Sequence, residues 1–133
     1  MPLPAPAAAL VSIIVPTYNE AAGIVALLHH LRRAGTATDA AVEIIVADSP
    51  GTDATATLAR QAGARVVSCP RKGRAAQLNH GARQATGSIL YFLHADSLPP
   101  VGFLAAIRDA VAEMSELDFL TEAPLALPME KAL

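Results

Sequence analysis

The chain has 133 residues, 53% of them hydrophobic and 17% charged, with a formal net charge of −2. That suffices for one domain with a buried core, and it excludes a disordered chain, whose signature is low hydrophobicity with high net charge. A spanning helix is not expected, because the apolar runs fall short of the roughly 20 residues a bilayer requires. Neither is a secretory leader, since Pro2, Pro4 and Pro6 interrupt the apolar start and no basic residue precedes it. Cys69 is the single cysteine, so no internal disulfide or thiolate zinc site is expected and a reducing cytoplasm is the expected setting.

Short β-branched runs alternate with alanine-rich amphipathic stretches. Val11–Val15 reads as a buried strand closed by Pro16. Asn19 is placed to cap a helix whose apolar stripe is Ile24, Leu27, Leu28 and Leu31, ending at Gly35. Glu43–Ala47 is a second strand, and a second helix is expected from Thr52 or Asp53 to a stop at Gly63. Arg65–Ser68 is a shorter strand, expected near an edge. A third helix follows Lys72 and Gly73, with Ala76, Leu78, Ala82 and Ala85 available for packing, and stops at Gly87. Ser88–Leu93 is the most apolar strand. Pro99 and Pro100 restart the chain into a fourth helix over Gly102–Glu113. After Met114 the pattern fades into a segment with two prolines and the acids Glu116, Asp118, Glu122 and Glu130 against Lys131, read as an irregular tail over 114–133.

Strands alternating with helices of this length specify βαβ units. With right-handed crossovers they predict a three-layer α/β/α sandwich over residues 1–113, with parallel strands in the order 3-2-1-4. In such a sheet ligands bind beyond the carboxyl ends of the strands. All four exits there are polar: Pro16-Thr17-Tyr18-Asn19-Glu20, Asp48 to Asp53, Pro70 to Arg74, and His94-Ala95-Asp96-Ser97. Six basic residues and no acid occupy the stretch from Arg60 to Arg83, which suits a small polyanion such as a diphosphate better than duplex DNA. A solvated helix face is the plainer account of the same charges. There is no G-x-x-x-x-G-K-[ST] loop, no G-x-G-x-x-G after the first strand and no G-x-S-x-G, and the histidines are scattered. The missing glycine-rich first turn also counts against a Rossmann-like methyltransferase.

The segments SIIVPTYNEAAGI (12–24), EIIVADSPGTDAT (43–55) and KGRAAQLNHGARQATGSILYFLHADSLPP (72–100) resemble the front half of a family 2 glycosyltransferase with the GT-A fold, over about residues 11–113. The middle segment departs somewhat, with Ser49-Pro50-Gly51 where many relatives carry a more polar turn. Within the family the chain is most similar to the bacterial radical-SAM/selenoprotein-associated branch, which has His-Ala-Asp in place of Asp-x-Asp.

The resemblance implies a Rossmann-like nucleotide-binding half and roles for its matched residues. Thr17, Tyr18 and Glu20 match the loop that holds base and ribose of a nucleotide-sugar, of UDP type. Asp48 matches the acid facing a uracil-type base. Arg74 and Asn79 match the stretch flanking base and diphosphate, and Asp96 matches the last acid of the metal motif. A leaving nucleoside diphosphate needs its charge neutralised, which Mn2+ or Mg2+ does with one or two carboxylates, phosphate oxygens and water. Other readings stand beside these. Tyr18 could cover the sheet end, Asp48 could cap the second helix with Asp53, and Asp96 or Ser97 could cap the fourth. His94 could hold phosphate, ligate weakly or pack, and is read as a non-ligand.

The tail matches nothing in the second half of such transferases, where the acceptor site and the catalytic base lie. The acceptor-binding half is therefore expected to be absent, and the base is unassigned. Two functions follow: sugar transfer from a nucleotide-sugar, incomplete in this chain, or nucleotide-diphosphate binding without turnover. Apolar surface left uncovered by a missing half makes self-association an expectation; nucleic acid is not an expected partner.

Overall fold

The computed structural model describes residues 10–35, 42–117 and 126–127, side chains excepted at 115–117 and 126–127. In chain order the elements are β1 (Val11–Thr17), α1 (Ile24–Gly35), β2 (Val42–Asp48), α2 (Thr55–Gln61), β3 (Arg65–Ser68), α3 (Arg74–Gln84), β4 (Ile89–Phe92), α4 (Phe103–Leu117) and β5 (Ala126–Leu127). The sheet order is β3-β2-β1-β4-β5 and every pairing is parallel. The expected 3-2-1-4 arrangement of α/β units is present. To it is added a short strand at the β4 edge, inside the segment that reads as patternless.

Register follows from the runs of branched side chains. Val11–Thr17 aligns residue for residue with Val42–Asp48, while Val11–Ile14 aligns on its other side with Ile89–Phe92. Alternate residues of β1 then serve opposite faces. Val11, Ile13 and Val15 enter a core with Ile24, Leu27, Leu28 and Leu31 of α1 and Phe103, Leu104 and Ile107 of α4. Ile14 joins Ile45 and Ala47 beneath Leu78, Ala82 and Ala85 of α3. Thus α1, α2 and α4 cover one face and α3 the other, as right-handed crossovers require when the strand order reverses after β3. Each fully buried leucine or isoleucine of the α1 stripe contributes roughly 1.5–3 kcal/mol.

Several boundaries differ from expectation for identifiable reasons. Asn19 does not cap α1. It sits at φ 51°, and its side-chain oxygen accepts a hydrogen bond from the Thr52 N–H at 2.9 Å. The chain makes a turn over 21–23 before α1, and its amides are held from the neighbouring loop: Glu20 N–H donates to Thr55 Oγ1 and Ala21 N–H to Asp53 Oδ2. The second helix starts later than expected, at Thr55, because Asp53 accepts from the Thr55 N–H and hydroxyl and so serves the helix start from outside it. Those bonds hold the Asp53 carboxyl below its ordinary range, the Thr55 hydroxyl foremost. The fourth helix begins at Phe103, behind Gly102, so neither Asp96 nor Ser97 caps it. The N-terminal prolines and the tail residues Asp118, Glu122, Glu130 and Lys131 lie outside the described residues.

Candidate functional site

The carboxyl end of β1, the β4 exit and the start of α3 enclose a cleft of about 310 Å³ lined by Pro16, Thr17, Tyr18, Glu20, Arg74, Gln77, His94, Ala95 and Asp96. Its floor is polar and internally satisfied. Thr17 and Asp48 end paired strands in register, both nearly fully buried, and the Thr17 hydroxyl donates to Asp48 Oδ1 at 2.7 Å. Asp48 is thereby tied to the strand end rather than to α2, and Asp53 alone serves that helix.

Beside this pair lies Gln77, 4% exposed. Its amide nitrogen donates to the Thr17 carbonyl at 2.7 Å and the Ala47 carbonyl at 2.9 Å, and its oxygen accepts from the Gly73 N–H at 3.1 Å. One side chain therefore joins the ends of two strands to the first turn of α3. The helix comes this close because Gly81 follows one turn later: a Cβ there would lie 2.6 Å from Ile14 Cγ2. Sequence reasoning missed Gln77. The signal available was the Gln77–Gly81 spacing, which puts a short face of α3 against the sheet.

The walls carry the groups a ligand would meet. Tyr18 is partly exposed, and Lys72 Nζ lies 3.6 Å from its ring centroid, a cation over the face of the aromatic ring. Arg74 opens α3 as a cation at the cleft, Glu20 faces it from the first loop, and His94 and Asp96 come from the β4 exit. Among the described residues the side chains of Glu20, Arg74, His94 and Asp96 have no hydrogen-bond or ion-pair partner. Of the residues singled out from sequence, Thr17, Tyr18, Glu20, Arg74 and Asp96 line one cleft and Asp48 lies directly beneath it. Asn79 does not line it; it is exposed on α3, nearly opposite the face that carries Gln77.

The donor set decides which cations the site suits. Among the described residues no three His, Cys, Asp or Glu side chains cluster as a metal cage. A closed zinc site is therefore not built here. One or two carboxylates at an open cleft fit a hard divalent ion that completes its shell with phosphate oxygens and water. Asp96 and Glu20 are the carboxylates among its lining residues. Among the described residues no helix is long and apolar enough to cross a membrane.

Comparison with known proteins agrees with this geometry. The model of the family described as glycosyl transferase family 2 matches residues 12–116. Uncharacterised glycosyltransferases of Mycobacterium bovis and Mycobacterium tuberculosis are 32% identical over 106 residues, 80% of this chain and 44% of theirs. Among solved structures, a mannosyltransferase from Pyrobaculum calidifontis in complex with GDP-Man and Mn2+ is similar at 34% identity and TM-score 0.68, over 75% of this chain and 32% of that one. Glucosyl-3-phosphoglycerate synthase from Mycobacterium tuberculosis, in complex with Mn2+, UDP and glucosyl-3-phosphoglycerate, is similar at 29% identity and TM-score 0.63, over 76% and 39%. The chain thus spans less than half the length of these relatives.

Proposed function

Because the chain belongs to glycosyl transferase family 2, we propose that its cleft binds the nucleoside diphosphate of a sugar donor of UDP type, together with a divalent cation, as the donor half of a sugar transfer. The observation that carries this reading is the gathering of Arg74, Glu20, His94 and Asp96, unpartnered among the described residues, above the satisfied Thr17–Asp48–Gln77 floor. The similar structures whose descriptions name GDP-Man or UDP with Mn2+ support it.

In this reading Thr17, Tyr18 and Glu20 receive base and ribose, with Asp48 beneath them. Arg74, at the first turn of α3, takes diphosphate charge, where a guanidinium offers paired donors to phosphate oxygens. Asp96 holds Mn2+ or Mg2+, which neutralises charge on the leaving nucleoside diphosphate when bound. Asn79, matched by the resemblance to the stretch flanking base and diphosphate, stands exposed on α3 outside the cleft lining. The His94-Ala95-Asp96 sequence supports placement in the radical-SAM/selenoprotein-associated branch, and the single cysteine suits a reducing cytoplasm. The acceptor site and catalytic base are assigned to a half that lies beyond residues 1–113.

A second reading is nucleotide-diphosphate binding without turnover, which the same Arg74, His94 and Asp96 in the cleft, unpartnered among the described residues, would serve. Donor hydrolysis measured beside a binding titration separates the two, since the second predicts affinity with no hydrolysis.

The test of the site is a titration of uridine diphosphate, with guanosine diphosphate as comparator, with and without manganese. Manganese should strengthen binding to the parent chain, and Asp96→Asn should remove most of that gain. Metal-free binding should hold or improve, because a carboxylate facing phosphate is repulsive without an ion between them. Equal manganese dependence in both proteins would refute the metal role of Asp96.

A further inference from the structure

We propose that His30, on α1 and outside the cleft, is the positioning residue that holds the Asp96 turn in its cation-binding place. The inference rests on the reading of Asp96 as the cation's carboxylate. Between β4 and α4 the chain runs through Leu93–Gly102, and its anchors are few. At the near end the Leu93 N–H donates to the Ile14 carbonyl at 3.0 Å, which continues the β1–β4 pairing. The turn then closes on itself, Ser97 N–H to the His94 carbonyl at 3.1 Å. At the far end the Gly102 N–H donates to the Ala34 carbonyl at 2.8 Å.

Between Ser97 and Gly102, among the described residues, one side chain bonds the loop from outside, and the Pro100 carbonyl accepts from the Phe103 N–H at 3.1 Å at the start of α4. His30 Nε2 lies 2.6 Å from the Pro99 carbonyl oxygen. A carbonyl only accepts, so Nε2 carries the proton, which fixes the tautomer of the ring. Proline lacks an N–H, so neither Pro99 nor Pro100 supplies a backbone donor that could anchor this stretch instead. Leu98 and Val101 on either side are largely exposed, whereas Pro99 itself is buried, so the His30 bond fixes the one packed point of this stretch. Fixing Pro99 three residues beyond Asp96 therefore limits the drift of the carboxylate. Groups hydrogen-bonded directly to a metal ligand commonly change metal affinity by roughly 10–100-fold when removed, and His30, acting through the backbone at Pro99, is set at the low end of that range.

The experiment uses the whole chain, manganese and uridine diphosphate. His30→Ala should cut the manganese-dependent gain in affinity roughly tenfold while leaving metal-free affinity within about twofold. His30→Gln, which keeps an N–H donor at the same reach, should restore the gain; His30→Asn, whose amide is shorter, should behave like alanine. Amide exchange over residues 94–98 should accelerate in the alanine variant and return with glutamine, with α1 unchanged. A uniform loss of metal-free and metal-dependent binding, or no restoration by glutamine, overturns the inference, as does a full manganese gain in His30→Ala. Asp96→Asn in parallel keeps two failures apart. If it retains the manganese gain, the metal reading fails and this inference with it; if it loses the gain and His30→Ala does not, only the inference fails.

Discussion

At the amino ends of the strands, Glu43 accepts hydrogen bonds from Ser12 at 2.7 Å, from the Thr86 N–H and hydroxyl at 3.0 and 2.9 Å, and from Arg65 at 3.1 Å. At the carboxyl ends, Glu20, Arg74, His94 and Asp96 face a cleft and, among the described residues, bond to nothing. Both edges gather acids and bases from strand ends. At one edge the polar groups use up each other's capacity and lock the starts of β1, β2 and β3 to the loop before β4; at the other only the buried layer does so, and the outer layer is left for a ligand. Polar residues at a sheet edge are thus sorted into structural and functional by whether their hydrogen bonds close internally.

That sorting can be broken by substitution. Gln77 belongs to the cleft edge but to its closed layer, so Gln77→Leu should behave as a structural change. It removes the donor to the Ala47 carbonyl and the acceptor of the Gly73 N–H, leaves the Thr17 carbonyl with the Ser49 N–H alone, and should lower unfolding free energy by about 2 kcal/mol in a denaturant melt. A loss of nucleotide affinity at unchanged stability would place Gln77 in the outer layer instead.

Glu43→Ala opens the other edge and should cost about 2 kcal/mol without altering uridine diphosphate affinity. The same residue gives the comparison a pH signature. Burial alone would raise its carboxyl, but the bonds from Thr86, Ser12 and Arg65 outweigh it and hold the pKa below the ordinary 4.5. A depressed carboxyl stabilises the fold above its ordinary pKa, and the contribution disappears as pH falls through the lower, folded value. Stability of the parent chain should therefore decline more steeply below pH 4.5 than that of Glu43→Gln, in melts taken across the acid range. Parallel curves would show that the cluster does not favour the ionised form.

Arg74→Ala should give the smallest change in stability, within about 0.5 kcal/mol, because the guanidinium has no partner to lose among the described residues. Its effect should appear in calorimetric titration, as roughly tenfold weaker uridine diphosphate binding with little change for uridine. Equal losses for both ligands would move Arg74 from the diphosphate to the base.

The architecture was readable because branched runs and alanine-rich stretches alternate cleanly, and strand order follows from crossover handedness once four units are recognised. Thr17, Tyr18, Glu20, Arg74 and Asp96 were locatable for the same reason: each stands at or just beyond a strand exit, where topology alone brings them together. Gln77 and His30 were not. Both lie within helices, where a polar residue reads as solvent-facing unless the opposite element is known, and their partners are backbone carbonyls, which leave no trace in sequence. Asn19 has the composition of a cap, but a left-handed backbone turned its side chain to Thr52. β5 is only two residues long, beyond what any periodicity can register.

Because β1 precedes both β2 and β4 in the chain and lies between them in the sheet, assembly of the sheet has an order. The β1–β2–β3 side joins segments close in sequence and can form while Ile89 is still to come, whereas Val11 meets Ile89 only after a long loop has closed. The apolar flank of β1 must wait uncovered in that interval, which is when such a chain is most prone to wrong pairing. The β4 exit carries His94 and Asp96, so the cleft is completed only after the β1–β2–β3 side has formed. In refolding followed by pulsed amide exchange, Ile44 and Val46 should gain protection before Leu93; simultaneous protection would mean the sheet closes in one step.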